Sequence, residues 1–264
     1  MNNPWLPEKH RILDIIEETD LESTFVVEFP NASIRHGQFF EISLPKIGEA
    51  PISVSSFTDS TVEFTIRRVG KLTNVIFDLA PGDDLYIRGP YGNGFPLESF
   101  KNKHVVVIAG GTGVAPVRST LKHFLHHPQD CKDVYTIAGF RDPSHTLFEN
   151  DLKAFVNAPH FHTTLTLDNG QKEGFKEGFA MNYVKDIPFQ EWGEDYAVII
   201  VGPPVMMKFT AQECMKYGVQ EEHIYVSFER KMSLGKCGHC KINETYVCLE
   251  GPVFPYTKAK TLMD

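Results

Sequence analysis

The chain has 264 residues, enough for two domains, and 42% of them are hydrophobic, an ordinary share for a globular protein and too high for disorder to be the default. Its net charge of −8 argues against a nucleic-acid binder, because neutralising phosphates demands the opposite sign. The opening stretch Met1–His10 lacks the apolar core of a secretory signal and no run approaches membrane-spanning length, so the expected location is the cytoplasm.

From the N-terminus to about residue 98 the pattern reads as all-β. Arg11–Ile16, Thr24–Glu28, Gln38–Leu44, Pro51–Ser56, Thr61–Arg67 and Leu85–Arg88 are short and rich in β-branched or aromatic residues. Turn residues separate them, among them Pro30-Asn31, His36-Gly37 and Pro81-Gly82-Asp83-Asp84. Strands this short must hide their edges, which predicts a small antiparallel barrel. One helix interrupts the series: Leu72, Val75, Ile76 and Leu79 share a helical face, with Gly70 just ahead. Glycine and proline cluster over Gly89–Pro96, and the domain boundary is expected just beyond, near 98–102.

The period then changes to alternating strand and helix. Val105–Ile108 is a continuous apolar run, as in a strand buried on both faces. Gly110, Gly111 and Gly113 follow at once with Thr112 between them, and Val117, Leu121, Phe124 and Leu125 then recur at helical spacing until Pro128. A strand, a glycine turn and a helix leave backbone N–H groups unpaired at a helix N-terminus, which suits a phosphate. The turn is not the G-x-G-x-x-G fingerprint, and a tight turn with no ligand would look the same. Val134–Ala138, Phe161–Leu167, Tyr196–Val201 and His223–Phe228 read as further strands. Helices are marked by Phe148, Leu152 and Phe155, and by Met207, Ala211 and Met215 up to Gly218. Such alternation implies a parallel sheet. Its ligands belong beyond the carboxyl ends of the strands, where both Gly110–Gly113 and Gly202-Pro203-Pro204 fall. After the strand Val134–Ala138 comes Gly139-Phe140-Arg141-Asp142; an acid at Asp142 would disfavour a phosphorylated ribose, although Arg141 beside it pulls the other way.

The tail changes character again at Glu229. Three of the five cysteines, Cys237, Cys240 and Cys248, lie there, and with no export signal their clustering suggests metal or redox chemistry before disulfides. The tail reads as a metal loop with a short hairpin and little room for a helix. Cys131 and Cys214 read as ordinary cysteines of a loop and a helix.

Five stretches taken in order, Ala50-Pro51-Ile52-Ser53-Val54-Ser55, Gly70-Lys71-Leu72-Thr73, Gly110–Pro116, Val201–Met206 and Cys237-Gly238-His239-Cys240, resemble the ferredoxin reductase superfamily. Within it, Gly48–Ser53, Gly202-Pro203-Pro204 and the tail through Cys248 to Phe254 look like the B-type component of anaerobic sulfite reductase. The dihydroorotate dehydrogenase electron-transfer subunit and the sulfhydrogenase gamma subunit are near relatives. The resemblance implies a β-barrel FAD domain over 1–100, an α/β NAD(P)H domain over 101–228 and an iron–sulfur loop and tail over 229–264. It implies an electron-transfer flavoprotein subunit that oxidises NADH through FAD. Electrons then pass through a [2Fe–2S] cluster to partner subunits, an iron–sulfur carrier and a catalytic subunit that reduces sulfite to sulfide. No side chain here is expected to act as a general acid or base. For the flavin the resemblance points to Pro51, Ile52, Ser53 and Val54, with Ser53 near the N5 edge, and to Gly70, Lys71, Leu72 and Thr73. For the nicotinamide nucleotide it points to Gly110, Gly111, Thr112, Gly113, Gly202, Pro203, Pro204 and Met206, and for the metal to Cys237, Cys240 and Cys248.

Three departures from the family pattern matter. Ala50 and Ile52 stand where the R-x-Y-S motif has arginine and tyrosine, so the pyrophosphate charge must come from elsewhere. Arg67 or Arg68 is expected to supply it, although a solvated strand edge is the plainer reading of both. Val201 replaces a cysteine near the nicotinamide, so hydride transfer must rest on positioning. The first of four cluster cysteines is missing from Glu229–Lys236, where Ser233 is the nearest oxygen ligand by sequence. Three thiolates with His239 also describe a zinc site. The rival in the same class is the equivalent subunit of a hydrogenase or a dihydroorotate dehydrogenase. The rival in another class is an assembly module with a zinc loop and a vestigial nucleotide pocket.

Overall fold

The computed structural model describes residues 6–30, 33–228 and 241–262. The chain forms two compact units. One runs to Gly94 and takes in the segment that ends at Pro252; the other runs from Phe95 to Phe228 and resumes at Val253.

The first unit is a closed antiparallel barrel of β1 (Glu8–Glu17), β2 (Glu22–Glu28), β3 (Phe39–Leu44), β4 (Gly48–Phe57), β5 (Thr61–Arg67) and β6 (Asp84–Tyr91), with neighbours in the order β1-β2-β5-β4-β3-β6. Period-two alternation builds it. In β5, Val62, Phe64 and Ile66 turn inward and are buried, while Thr61, Glu63 and Thr65 are half-exposed between them. Phe25, Val27, Phe40, Ile42, Val54 and Ile87 complete the interior, and Phe40 packs edge-on against Phe29 and Phe64. Helix α1 (Lys71–Ile76) buries Ile76 in the same core. All six expected strands are present, with ends that differ by up to three residues.

Strand β3 breaks the alternation. Phe39, Phe40, Glu41 and Ile42 are all buried, so this strand is covered on its outer face as well. Part of the cover is the turn after β6. Gly92 lies against Phe39 and Pro252, and Asn93 ties that turn to the tail, its N–H donating to Gly251 O at 2.8 Å and its Nδ2 to Glu250 O at 3.1 Å.

The second unit is a seven-stranded sheet. In chain order its strands are β7 (His104–Gly110), β8 (Val134–Phe140), β9 (Phe161–Leu167), β10 (Phe175–Glu177), β11 (Tyr196–Val201), β12 (Ile224–Ser227) and β15 (Val253–Pro255). They lie in the order β10-β9-β8-β7-β11-β12-β15, parallel except for β15. Val105–Ile108 and Val198–Ile200 are fully buried, as strands between two helical layers must be. Helices α2 (Val114–His126), α3 (Glu149–Asn157) and α4 (Pro204–Lys216) follow β7, β8 and β11. Burial pushes the Cys131 thiol up to about 11 and the Cys214 thiol up to about 12, so both are inert packing residues.

The described part of the tail holds more than the expected hairpin. Its hairpin is present as β13 (Lys241–Ile242) and β14 (Thr245–Tyr246), but α5 (Val247–Glu250) and α6 (Tyr256–Ala259) are short helices, and β15 extends the parallel sheet by antiparallel pairing with β12. Each helix is a single turn, too short for helical periodicity to register. The burial of Val253, Phe254, Tyr256, Ala259 and Leu262 holds this end in place. Among the described residues no helix is long and apolar enough to cross a membrane.

Candidate functional site

In the second unit, β7 is the first strand and lies at the centre. The chain builds β8 and β9 on one side and then crosses to β11 and β12 on the other. The reversal makes a crevice beyond the carboxyl ends of β7 and β11, where an open α/β sheet binds its ligands. The register Ala109↔Val201 sets Gly110 beside Gly202 across that crevice. A Cβ on Gly113 would stand 2.8 Å from Gly202 Cα, and one on Gly202 would stand 2.7 Å from Met206 Sδ. The two glycine turns thus pack backbone to backbone, with the Met206 thioether against both Gly110 and Gly202. Gly111 has φ +56°, and the space where a side chain would be is open.

Helix α2 begins after the Gly111–Gly113 turn and α4 after Pro203. Neither has a side-chain cap or an acidic residue in its first turn. Two helix N-termini without side-chain caps therefore meet at the carboxyl ends of β7 and β11, a setting for a pyrophosphate. Thr112 is half-buried in the turn, whereas Pro203 and Pro204 are exposed. Val201 is buried in β11 and offers packing only.

At the end of the adjacent β8, Asp142 Oδ1 accepts from His145 Nδ1 (2.8 Å), Ser144 N (3.0 Å) and Ser144 Oγ (2.6 Å). The His145 and Ser144 bonds hold its carboxyl well down, at about 2, so its charge is permanent. Asp142 Oδ2 stands 3.9 Å from Arg141 Nε, and the Arg141 side chain is exposed. A carboxylate fixed in its charged form would repel a 2′-phosphate on any ribose bound beside it. Steady-state kinetics are expected to show kcat/KM for NADH about ten-fold or more above that for NADPH, with the gap narrowed in Asp142→Asn. Equal efficiency with both nucleotides in the unmodified protein would contradict this.

The barrel carries the other predicted residues. Ile52 packs on the barrel core and Val54 lies within it, its N–H donating to Gln38 O at 2.9 Å. Pro51 and Ser53 alternate with them, half-buried on the outer face, Ser53 opposite Phe39 and Pro51 opposite Glu41. Thr73 Oγ1 accepts from Val69 N and Gly70 N, both at 2.9 Å, so this hydroxyl shapes the turn ahead of α1. Gly70 and Lys71 are exposed and Leu72 is half-buried against the core. Arg67 pairs with buried Glu22 at 3.3 Å, while Arg68 leans over α1, donating to Asn74 Oδ1 at 3.3 Å. Of the two, Arg68 stands nearer the start of α1.

The sequence reading missed a charged cluster on the outer face of β3, β4 and β6. Glu41 faces Arg88 across the β3–β6 pair, and Arg88 Nη2 donates to Glu49 Oε1 at 2.5 Å. Tyr91 stacks beside Phe39 at 5.8 Å. Glu41 is 1% exposed, and neither its Oε1 nor Arg88 Nε has a hydrogen-bond partner. The available signal was a lone acid in the apolar run Phe-Phe-Glu-Ile; its partners are distant in sequence. As for the predicted metal ligands, Cys248 is buried on α5, while Cys237 and Cys240, like Ser233 and His239, lie outside the described residues. Among the described residues no three His, Cys, Asp or Glu side chains are grouped to hold a metal.

Residues 107–212 match the oxidoreductase NAD-binding domain family. The sulfhydrogenase 2 gamma subunit of Pyrococcus furiosus is 33% identical over 97% of this chain and 97% of its own. The chain belongs to the ferredoxin reductase-like family of NAD-dependent flavin oxidoreductase subunits. A probable dihydroorotate dehydrogenase B electron transfer subunit of Methanocaldococcus jannaschii is 33% identical over 96% of this chain and 91% of its own. The fold is shared with an NADH-dependent reduced ferredoxin-NADP oxidoreductase, at a TM-score of 0.79 and 21% identity over 94% of this chain and 88% of that one.

The residues present fit the two nucleotides of this oxidoreductase family. At the end of β7 only Gly111 opens onto space that a side chain would enter, while Gly110, Gly113 and Gly202 let the two turns pack so that both helix starts lie beside it. On the barrel, no protein atom lies within 4 Å of where a Gly70 Cβ would be, so the turn ahead of α1 is open to a ligand, and half-buried Ser53 lies on the outer face of β4 opposite Phe39.

Proposed function

We propose that this chain is the NADH-oxidising, FAD-containing electron-transfer subunit of a cytoplasmic multi-subunit reductase. The observation that carries the reading is the pair of glycine turns packed at the sheet's switch point, with two uncapped helix starts beside them. Gly110, Gly111, Thr112, Gly113 and Gly202 hold the nicotinamide nucleotide, with Pro203, Pro204 and Met206 bordering it. Ser53, Pro51 and Ile52, with the turn from Gly70 to Thr73 and Arg68, hold the flavin. FAD supplies the conversion of a two-electron hydride donor into a one-electron source. The residues of this chain bind and orient; with Val201 in place of a thiol, the crevice works by positioning.

An iron–sulfur centre at Cys237, Cys240 and Cys248 is the proposed exit, with Ser233 as the candidate fourth ligand. The proposed acceptor is a partner subunit that reduces sulfite to sulfide. The motif resemblance of residues 48–53, 202–204 and the tail supports it. The near full-length similarity to a sulfhydrogenase gamma subunit favours a second reading, delivery to or from a hydrogenase, and the similarity to a dihydroorotate dehydrogenase B electron transfer subunit favours the corresponding pyrimidine reaction. Isolating the native complex and assaying it with NADH separates these. Sulfite-dependent NADH oxidation with sulfide formed supports the first. Hydrogen- or dihydroorotate-dependent NAD reduction without a sulfite response replaces it.

A further inference from the structure

Glu41 is a buried acid that neither nucleotide site uses. It stands on the outer face of β3, directly across from Pro51 on β4 and from Arg88 on β6. Phe39, two residues away on the same face, is paired with Ser53. Glu41 and Ser53 are thus diagonal neighbours on this face, roughly 7–8 Å apart as residues. The charged and titratable groups facing it are Glu49 from β4 and Arg88 and Tyr91 from β6. Arg88 is already bound to Glu49, and Glu41 Oε1 has no hydrogen-bond partner. A buried carboxylate in that position carries a charge that nothing nearby matches one to one.

We infer that Glu41 takes up a proton from solvent when the cofactor held against Ser53 accepts electrons. This rests on the flavin reading above. When NADH reduces that flavin, hydride would pass from the nicotinamide, which is oxidised, to the flavin, which is reduced, and in molecules whose Glu41 is still ionised the negative charge added would be balanced by one solvent proton that ends on Glu41 Oε1. Burial, with the Glu49 charge adding and Arg88 opposing, holds this carboxyl at about 7, so it is part-loaded at neutral pH. A negative charge added nearby raises it further, and proton uptake follows the electrons.

The test uses the flavin-loaded protein and infrared difference spectra taken on reduction by dithionite. Wild type is expected to gain a protonated-carboxyl band that Glu41→Gln lacks. The flavin midpoint potential of wild type is expected to fall more steeply with pH near neutrality than that of Glu41→Gln, by one proton per electron pair. Glu49→Gln, a change at a partly exposed residue, is expected to move the steep region to lower pH, because it removes the like charge and frees Arg88 for Glu41. A flavin that dithionite reduces with no carboxyl band, and with equal slopes in wild type and Glu41→Gln, overturns this inference alone. A protein that takes up no flavin overturns the functional reading with it.

Discussion

Gly113→Ala is expected to lower kcat/KM for NADH at least ten-fold, mostly through KM, while leaving flavin content unchanged. Its added Cβ would sit 2.8 Å from both Gly202 Cα and the Val201 carbonyl carbon. Those atoms are backbone at the end of β11, a strand buried along its whole length, so they cannot swing aside as a flexible side chain would. Relief requires the β7 and β11 turns to part, at a cost of about 1–3 kcal/mol for an overpacked site. The same movement shifts the donors that orient the pyrophosphate, and a misplacement of about 1 Å can cost about a hundred-fold in rate. Thermal denaturation should show a fall of several degrees, about 2–4 °C for each kcal/mol lost. Unchanged KM and unchanged melting would mean that the close packing of the turns does not shape the nucleotide site.

The second large effect belongs to the barrel. Gly70→Val is expected to fold like wild type and to weaken FAD binding about ten-fold or more. Gly70 has φ −164°, extended backbone that valine adopts readily, and no protein atom lies within 4 Å of an added Cβ. A change in open space of this kind usually alters stability by no more than about 0.5 kcal/mol. Whatever the valine obstructs must then be a ligand approaching the backbone ahead of α1. Thr73→Val is a poorer probe, since removing the hydroxyl strands the N–H groups of Val69 and Gly70 and disturbs the turn itself. Circular dichroism and melting report the fold, and flavin released on gel filtration reports the site. Wild-type flavin retention in a well-folded Gly70→Val protein would remove the α1 turn from the flavin site.

These two positions also mark how far the sequence could be read. The strand–glycine–helix order at Val105–Val117 and the alternation in Thr61–Arg67 are local patterns, and local patterns are what a chain displays in linear order. The crevice at the ends of β7 and β11 was legible because both of its glycine turns directly follow apolar strands. The packing of Gly113 on Gly202 was not, because strand adjacency across a crossover has no local signal. Glu41, Glu49 and Arg88 failed to show for the same reason: barrel register joins them across three strands. Asp142 was legible as an acid after the β8 strand, but its engagement with Ser144 and His145 emerged only from the turn geometry. The end of the tail was misread because α6 is a single turn and β15 borrows its stability from the edge of β12.

The proposed function requires one chain both to bind NADH and to deliver its electrons to a flavin. Anaerobic titration of the flavin-loaded protein with NADH, followed by the flavin absorbance band, tests it most directly. Stoichiometric NADH is expected to bleach the band, and Gly113→Ala is expected to require a higher NADH concentration. A flavin that dithionite bleaches but NADH leaves untouched, or a colourless protein that takes up no FAD when it is supplied, would contradict it.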